Sequence, residues 1–308
     1  MRVKYRNQEH ILPDVFIVGA AKSGTTSLYR MLNGHTQVYF PPSQKEPFYF
    51  CFGGKEPEGI AQTSKERHIW QTDQYLKLYA NCNEGSLSID ASTAYLYKYK
   101  ESISHIKEIY GDRAKELKII ILLRNPIDRA YSHYTYLVRN GFENLSFEEA
   151  ILDKNIEKRK IERWGFDYKG YSSYPEQVKA YMDEFPQCKV FLTSEMKKTK
   201  VFMKQVTGFL GIEEFKEIEA VKANPSGVPK SRFLVDMLRK NVVLKKMVNL
   251  LPERQKHKLL DRRDAVMSKL IIKEQMDPDT REILLHYFES DVLFLEQLIN
   301  RDLSHWKY

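Results

Sequence analysis

The chain has 308 residues, of which 42% are hydrophobic and 29% are charged, and its formal net charge is +8. This size and composition predict a large folded core and exclude a disordered or low-complexity chain. The sequence has no run of 18 apolar residues and no signal-peptide core at its N-terminus, so we expect a cytoplasmic protein.

Apolar runs alternate with amphipathic segments along the chain, which predicts parallel strands with helices on both faces. Strands are predicted at 15–18, 86–89, 118–123 and 189–193, and helices at 25–32, 103–110, 127–138, 200–210 and 277–299. The last helix has an apolar stripe formed by Leu284, Tyr287, Phe288, Val292, Leu295, Leu298 and Ile299. The predicted fold class is therefore α/β, a P-loop-like parallel sheet flanked by helices.

Two features outside these elements have simple interpretations. The polar segment 56–73 is predicted to be a loop or short helices, which either shapes a binding site or only connects two elements. Cysteines stand at positions 51, 82 and 188 without paired or metal-like spacing, so we expect reduced thiols.

The first predicted strand runs into a loop of small residues that leads to a helix. Gly19 and Gly24 leave backbone N–H groups uncovered, and the helix N-terminus attracts an anion. The predicted phosphate-binding residues are Ala21, Lys22, Ser23, Gly24, Thr25, Thr26 and Ser27. A nucleoside triphosphatase P-loop has its Lys after the second Gly, whereas Lys22 precedes Gly24 here. This order disfavours a P-loop nucleotide kinase, which stays as an alternative.

A second motif follows the strand predicted at 118–123. Arg124 ends this strand, Pro126 suits the first turn of a helix, and Ser132 lies two turns further on. Because Arg124 and Ser132 are separated by a strand end and two helical turns, a guanidinium and a hydroxyl can converge on one phosphate. The pattern indicates a second phosphate-binding point.

The two motifs together resemble the donor site of sulfotransferases that use 3′-phosphoadenosine 5′-phosphosulfate (PAPS). Residues 22–27 resemble the family's 5′-phosphosulfate loop, and Arg124 with Ser132 resembles its 3′-phosphate motif. Further resemblance at 45–50, 90–95, 170–177 and 224–232 is closest to bacterial relatives of the heparan sulfate and carbohydrate enzymes. The resemblance implies a single sulfotransferase domain over 1–308, PAPS as donor, 3′-phosphoadenosine 5′-phosphate (PAP) as product, and no required metal.

Sulfuryl transfer to a hydroxyl also needs a base and charge stabilisation. Glu46 precedes an aromatic run at 48–50 that would desolvate its carboxylate, and it matches the catalytic Glu of heparan sulfate enzymes by resemblance. Alternatively, Glu46 only pairs with Lys45 at the surface. We expect Lys22 to stabilise the leaving phosphate, and Lys45 to orient Glu46 or stabilise the sulfuryl group.

Three further residues are weighed for the same chemistry. Asp90 either orients a hydroxyl or simply ends its strand. Heparan sulfate enzymes have a Glu-Lys pair where this chain has Asp90 and Ala91, and the missing Lys argues against a heparan acceptor. His35 is expected to be a turn residue, and His133 is expected to pack beside Ser132 rather than act as the base.

Positive charge is concentrated in residues 222–273, which contain 14 Lys or Arg and four Asp or Glu. We predict a basic helical region at about 230–275 that acts as a lid or an acceptor-binding subregion. Its charge suits an anionic polysaccharide, a membrane surface with peripheral attachment, or merely a solvated helix face. Nucleic acid is not expected, because no recognised binding module accompanies the charge. The resemblance implies that the loop 224–232 contacts the 3′-phosphate through Gly227, Lys230 and Arg232.

The acceptor is predicted only as a class, a hydroxyl or amine of a carbohydrate, glycolipid or small metabolite. A hydrophobic alcohol such as a sterol or phenol is the alternative. One set of tyrosines either lines an acceptor site or belongs to the core, namely Tyr95, Tyr97, Tyr99, Tyr171 and Tyr174. A nucleotide-binding scaffold without activity is also considered, and the presence of Glu46 argues against it.

Overall fold

The structure is a computed structural model that describes residues 1–57, 68–215, 228–229, 271–272 and 275–307. Its strands are β1 (Arg2–Tyr5), β2 (Gln8–Ile11), β3 (Val15–Gly19), β4 (Val38–Tyr39), β5 (Leu87–Asp90), β6 (Lys118–Leu123), β7 (Gln187–Leu192), β8 (Val228–Pro229) and β9 (Ile271–Ile272). Five of them form a parallel sheet in the order β4-β5-β3-β6-β7, whereas β1 pairs with β2 and β8 with β9 in antiparallel fashion.

Helices cover both faces of this sheet and bury it. They are α1 (Thr25–Leu32), α2 (Thr72–Tyr79), α3 (Tyr99–Tyr110), α4 (Pro126–Arg139), α5 (Phe147–Ala150), α6 (Asp153–Lys160), α7 (Tyr174–Glu184), α8 (Thr199–Leu210) and α9 (Pro278–Ile299). In β3, Phe16 and Val18 belong to one apolar cluster and Val15 and Ile17 to the other. Because successive strand residues point to opposite faces, this continuous apolar run fills two cores at once.

The predicted α/β class is confirmed, and the predicted strand at 118–123 and helix at 25–32 have the observed bounds. The hairpin of β1 and β2 was not predicted. Its two turn residues, Arg6 and Asn7, have φ of 47° and 62°, the left-handed pair that a two-residue hairpin turn of the primed type requires. The prediction missed it because no glycine marks the turn.

Helix α9 buries Leu284, Phe288, Val292 and Leu295 as predicted, but Tyr287 is 46% exposed. The prediction that Tyr287 belongs to the apolar stripe is therefore wrong, since its exposed ring lies 4.4 Å from the Lys169 ammonium. The three cysteines are free thiols, as predicted. Among the helices that the structure describes, none has the length and apolarity needed to span a bilayer.

Several predictions fall where the structure gives no description. The basic region at about 230–275, with Gly227, Lys230 and Arg232, lies outside the described residues except for the backbone of β9 and residues 275 onward. Most of the polar segment 56–73 does so as well, although helix α2 begins at its end.

Candidate active site

The candidate site lies at the carboxyl ends of the central strands. Since β3 and β6 are parallel neighbours, the loops that follow Gly19 and Leu123 emerge at the same edge of the sheet, where α/β proteins bind ligands. Thr193, which follows β7, donates hydrogen bonds to the carbonyls of Ser23 (2.6 Å) and Leu123 (2.9 Å). One hydroxyl thus ties the two loops together.

The loop after β3 is shaped to hold an anion. Lys22 and Gly24 have φ of 70° and 98°, and left-handed residues in such a loop turn their N–H groups toward one side. A Cβ on Gly24 would lie 2.8 Å from the Met196 sulfur, so both space and conformation require glycine here. Among the described residues, the N–H groups of Lys22, Gly24, Thr25 and Thr26 meet no acceptor, which leaves them available to a phosphate.

Lys22 lies in a concentration of positive charge. Its pKa is lowered to about 8, first by burial and then by the charges of Arg139, Arg124 and Arg129, while the charge of Glu46 opposes this shift. A buried ammonium next to several arginines is a candidate to bind an anion. The role of Lys22 at a phosphate stays a prediction, and these surroundings favour it.

The second motif is anchored by a helix cap. The Asn125 side chain accepts hydrogen bonds from the first amides of α4, and Pro126 occupies the first turn as predicted. The Tyr174 hydroxyl donates to the Arg124 carbonyl at 3.0 Å, so the backbone that carries the guanidinium is fixed. Arg124 is half-buried and forms no ion pair with a described carboxylate, and Ser132 on α4 is 5% exposed.

Glu46 lies next to this donor region rather than apart from it. Its Oε1 is 2.7 Å from Lys45 Nζ, and its Oε2 accepts a hydrogen bond from the Thr93 hydroxyl at 3.1 Å. Lys45 Nζ also donates to the Thr26 hydroxyl of the phosphate loop at 3.3 Å. The ion pair considered from the sequence therefore exists, and it connects the carboxylate to the loop.

Asp90 lies beneath the site. It is fully buried and accepts hydrogen bonds from the Ser92 amide and hydroxyl and from the Tyr75 and Tyr95 hydroxyls. Burial raises the pKa of the Asp90 carboxyl to about 6, which those hydrogen bonds oppose. Ser92 in turn accepts from the Phe48 amide at 3.0 Å, so Asp90 positions the segment that follows Glu46.

His35 has both ring nitrogens engaged by backbone groups. Its Nδ1 accepts from the Gln37 amide at 3.1 Å, and its Nε2 lies 3.0 Å from the Glu213 carbonyl. This is the structural role in a turn that the sequence predicts.

His133 is buried on α4. Burial and the charges of Arg129, Lys22 and Arg163 hold its pKa well below the ordinary value. Its Nδ1 lies 3.1 Å from the Arg129 guanidinium, which can only donate. A neutral imidazole with Nδ1 occupied is a poor candidate for the general base.

The tyrosines considered for an acceptor site divide into two groups. Tyr95 and Tyr174 are fully buried in the core. In the other group, Tyr97 stacks on Tyr171 with ring centroids 3.9 Å apart, and the half-buried Tyr99 donates a hydrogen bond to Glu176 at 3.2 Å. The sequence analysis did not identify Thr93 and Arg129 as members of the site. For Arg129 a signal existed, because residues four apart on a helix share one face and Arg129 therefore lies beside His133.

A profile of the sulfotransferase family matches residues 13–217, and the chain belongs to this family. The match includes the phosphate loop, Glu46, Arg124 and Ser132. A crystal structure of a sulfotransferase from Alicyclobacillus acidocaldarius is similar over 97% of this chain and 100% of its own, with a TM-score of 0.72 and 29% identity.

Two mammalian proteins are similar over part of the chain. The bovine bifunctional heparan sulfate N-deacetylase/N-sulfotransferase 2 is 32% identical over 137 residues, which are 42% of this chain and 13% of that protein. The mouse heparan sulfate glucosamine 3-O-sulfotransferase 3A1 is 26% identical over 141 residues, 44% of this chain and 30% of that protein. The chain thus spans less than a third of either relative.

Proposed function

We propose that this chain transfers a sulfuryl group from PAPS to a hydroxyl or amine of a carbohydrate, glycolipid or small metabolite, with Glu46 as general base. The observation that carries the proposal is the connection of two chemically different groups. An anion-binding loop with the buried ammonium of Lys22 is joined through Lys45 and Thr26 to the carboxylate of Glu46.

The chemistry follows from this arrangement. An in-line displacement needs charge stabilisation on the leaving phosphate and proton removal from the attacking group. Lys22 and the loop amides suit the leaving 5′-phosphate, while Arg124 and Ser132 suit the 3′-phosphate that distinguishes PAPS from other adenine nucleotides. Thr93 and Lys45 hold the two oxygens of Glu46, so that its carboxylate is oriented before the acceptor arrives.

The carbohydrate class is supported by the names of the two mammalian relatives, both of which act on heparan sulfate. Heparan sulfate itself is less favoured, because buried Ala91 stands where the resembled enzymes have a lysine. A neutral glycoside, a glycolipid headgroup and a flat hydrophobic alcohol are therefore the acceptors to compare first.

The experiment combines binding with transfer. Calorimetric titration with PAP in the presence of a chelator tests donor recognition, and AMP serves as the nucleotide without a 3′-phosphate. Incubation with ³⁵S-labelled PAPS and a panel of acceptors then tests transfer. We expect tight PAP binding, weaker AMP binding and label on an acceptor. Equal affinity for PAP and AMP would contradict the donor assignment, and PAP binding without transfer to any acceptor would favour the inactive scaffold.

A further inference from the structure

Arg129 is a buried cation in unusual surroundings. It is fully enclosed, and it forms no ion pair with any carboxylate in the described part of the chain. Its guanidinium donates to the Ser172 hydroxyl at 2.5 Å, the Tyr168 carbonyl at 2.8 Å and His133 Nδ1 at 3.1 Å. A buried charge is costly unless it is compensated. The neutral groups that Arg129 binds therefore deserve a closer look, His133 first among them.

The contact with Arg129 fixes the tautomer of His133. A guanidinium has five donors and no acceptor, so Nδ1 of His133 must be the acceptor and carry no proton. The ring proton of the neutral imidazole is then on Nε2. The charges that face this ring come from Arg129 on the same helix, Lys22 in the phosphate loop and Arg163. All are positive, and all favour the neutral ring.

The Nε2–H group has no hydrogen-bond partner within the described part of the chain. It donates to no residue that the structure describes, and it faces Gly165 of the 3₁₀ turn Trp164–Phe166. A Cβ at position 165 would lie 3.0 Å from Nε2, so the absent side chain keeps this donor uncovered. His133 therefore presents a fixed hydrogen-bond donor that is available to a ligand.

The neighbours of His133 indicate which ligand group that is. Tyr136, one turn along the same face of α4, has its ring centroid 4.5 Å from Lys22 Nζ. On the other side, the His133 ring lies 5.5 Å from the Tyr171 ring, and the charge of Glu46 acts on both Tyr171 and Lys22. His133 is thus near both proposed reaction partners: the charge of Lys22 acts on its ring, and its neighbour Tyr171 feels the charge of Glu46.

We propose that His133 is a further catalytic residue, whose Nε2–H donates a hydrogen bond to an oxygen of the transferring sulfuryl group, with Arg129 as its positioning residue. This inference rests on the proposed function. The acceptor oxygen forms a bond to sulfur while the bond from sulfur to the 5′-phosphate oxygen breaks. The acceptor proton passes to Glu46, the released electron pair stays on the phosphate beside Lys22, and His133 keeps its proton throughout.

Nitrogen NMR of the unaltered protein tests the donor directly. The His133 ring should show Nε2 protonated and Nδ1 unprotonated, unchanged between pH 6 and pH 8. Addition of PAPS without acceptor should shift the Nε2–H resonance, whereas PAP, which lacks the sulfuryl group, should leave it nearly unmoved. His35 is the internal control, because its Nε2 already faces the Glu213 carbonyl and should respond to neither nucleotide.

Variants provide the kinetic test. His133→Phe keeps a ring but removes the donor, and we expect kcat to fall by about 10²-fold, as when an oxyanion-hole donor is lost, with PAP affinity within about twofold of the parent. His133→Gln, whose amide can donate, should recover part of kcat. The matched control His35→Phe should lower stability without a selective loss of kcat.

Three results would overturn the inference. An equal shift of Nε2–H with PAP and PAPS would place the contact on a phosphate, and a ring that protonates near pH 6.5 would remove the fixed tautomer. A His133→Phe variant with parental kcat would remove the catalytic role. If neither PAP nor PAPS binds the parent protein, the proposed function itself fails, and this outcome differs from the other three.

Discussion

The two halves of the candidate site differ in how their charges are balanced. On the donor side, Lys22 and Arg124 form no ion pair with a described carboxylate, and the nearby arginines depress the pKa of Lys22. On the acceptor side, both oxygens of Glu46 are engaged by Lys45 and Thr93. Among the described residues, the donor half carries positive charge without a paired carboxylate, whereas the acceptor half pairs Glu46 with Lys45.

In the proposed function, this difference separates two tasks. A cluster of cations stabilises most strongly the state with the most negative charge, which in the proposed reaction is the leaving phosphate. A carboxylate held by a hydroxyl and an ammonium is oriented for proton transfer but adds little to nucleotide affinity. Changes on the donor side should therefore affect binding and turnover, and changes on the acceptor side should affect turnover alone.

The largest effect is expected for Lys22→Ala. Removing the ammonium nearest the leaving phosphate should lower kcat by about 10³-fold, a loss comparable to that of a central electrostatic contact in other enzymes, and it should weaken PAP binding by a smaller factor. Rapid-quench kinetics measures the loss of kcat and calorimetry measures the loss of PAP affinity. The exposed Lys100→Ala variant is the control. Equal, modest losses in both quantities would make Lys22 a simple ground-state contact.

Glu46→Gln should have the next largest effect. The substitution keeps size and an acceptor for Thr93 but removes the basic electron pair, so transfer to an aliphatic hydroxyl should fall by about 10²-fold. PAP affinity should stay close to that of the parent. A phenolic acceptor, which ionises more easily, should suffer less. Near-normal transfer to an unactivated alcohol would remove Glu46 from the role of base.

Arg124→Ala should reduce the preference for a 3′-phosphate. A hydrogen bond to a charged group contributes about 1.5–3 kcal/mol, so the ratio of PAP to AMP affinity should fall by roughly 10- to 100-fold, and by less in Ser132→Ala. Competition between the two nucleotides measures this ratio. Variants that discriminate as strongly as the parent would show that the 3′-phosphate binds elsewhere.

The smallest effect on chemistry is expected for Asp90→Asn, which acts through the scaffold. An amide facing the donors of Tyr75, Tyr95 and Ser92 leaves at least one of them unpaired, and we expect a loss of about 1–3 kcal/mol in the free energy of unfolding. Urea denaturation measures it, with the exposed Asp112→Asn as control. An unchanged unfolding free energy would contradict the positioning role of Asp90.

Asp90 should also make the free energy of unfolding depend on pH. Its carboxyl has a folded-state pKa of about 6, above the ordinary value of 3.8, so the folded protein binds this proton more tightly than the unfolded chain. The contribution of Asp90 to stability is therefore present at low pH and is lost as the pH rises through about 6. The parent should show this slope relative to Asp90→Asn between pH 4 and pH 6.

Much of the donor half could be predicted from the sequence because it is local. The apolar run of β6, Pro126 at the start of α4 and the glycine-bearing loop each carry their own signal within a few residues. Their meeting at one edge follows from parallel strands alone. The loop 224–232 with Lys230 and Arg232 stays a prediction.

The acceptor half depends on contacts between distant segments, which no local pattern encodes. Thr93 reaches Glu46 across 47 residues, and Asp90 serves Phe48 through Ser92. The pair of Arg129 and His133 was visible as a helical spacing, yet its meaning depends on Ser172, Tyr168 and Gly165 from another segment. The importance of this pair is seen only in the structure, where Arg129 is buried without a described carboxylate partner.

The most direct test of a positively charged donor side is proton uptake on nucleotide binding. At pH 8 the phosphates of PAP are fully ionised, whereas Lys22, with a pKa of about 8, is only partly protonated. An anion beside it raises that pKa, so calorimetry in buffers of different ionisation enthalpy should show uptake of about half a proton per PAP. Lys22→Met should abolish this uptake while some binding remains. PAP binding without proton uptake by the parent protein, or equal uptake by the variant, would contradict the assignment of Lys22 and its cationic neighbours to the donor.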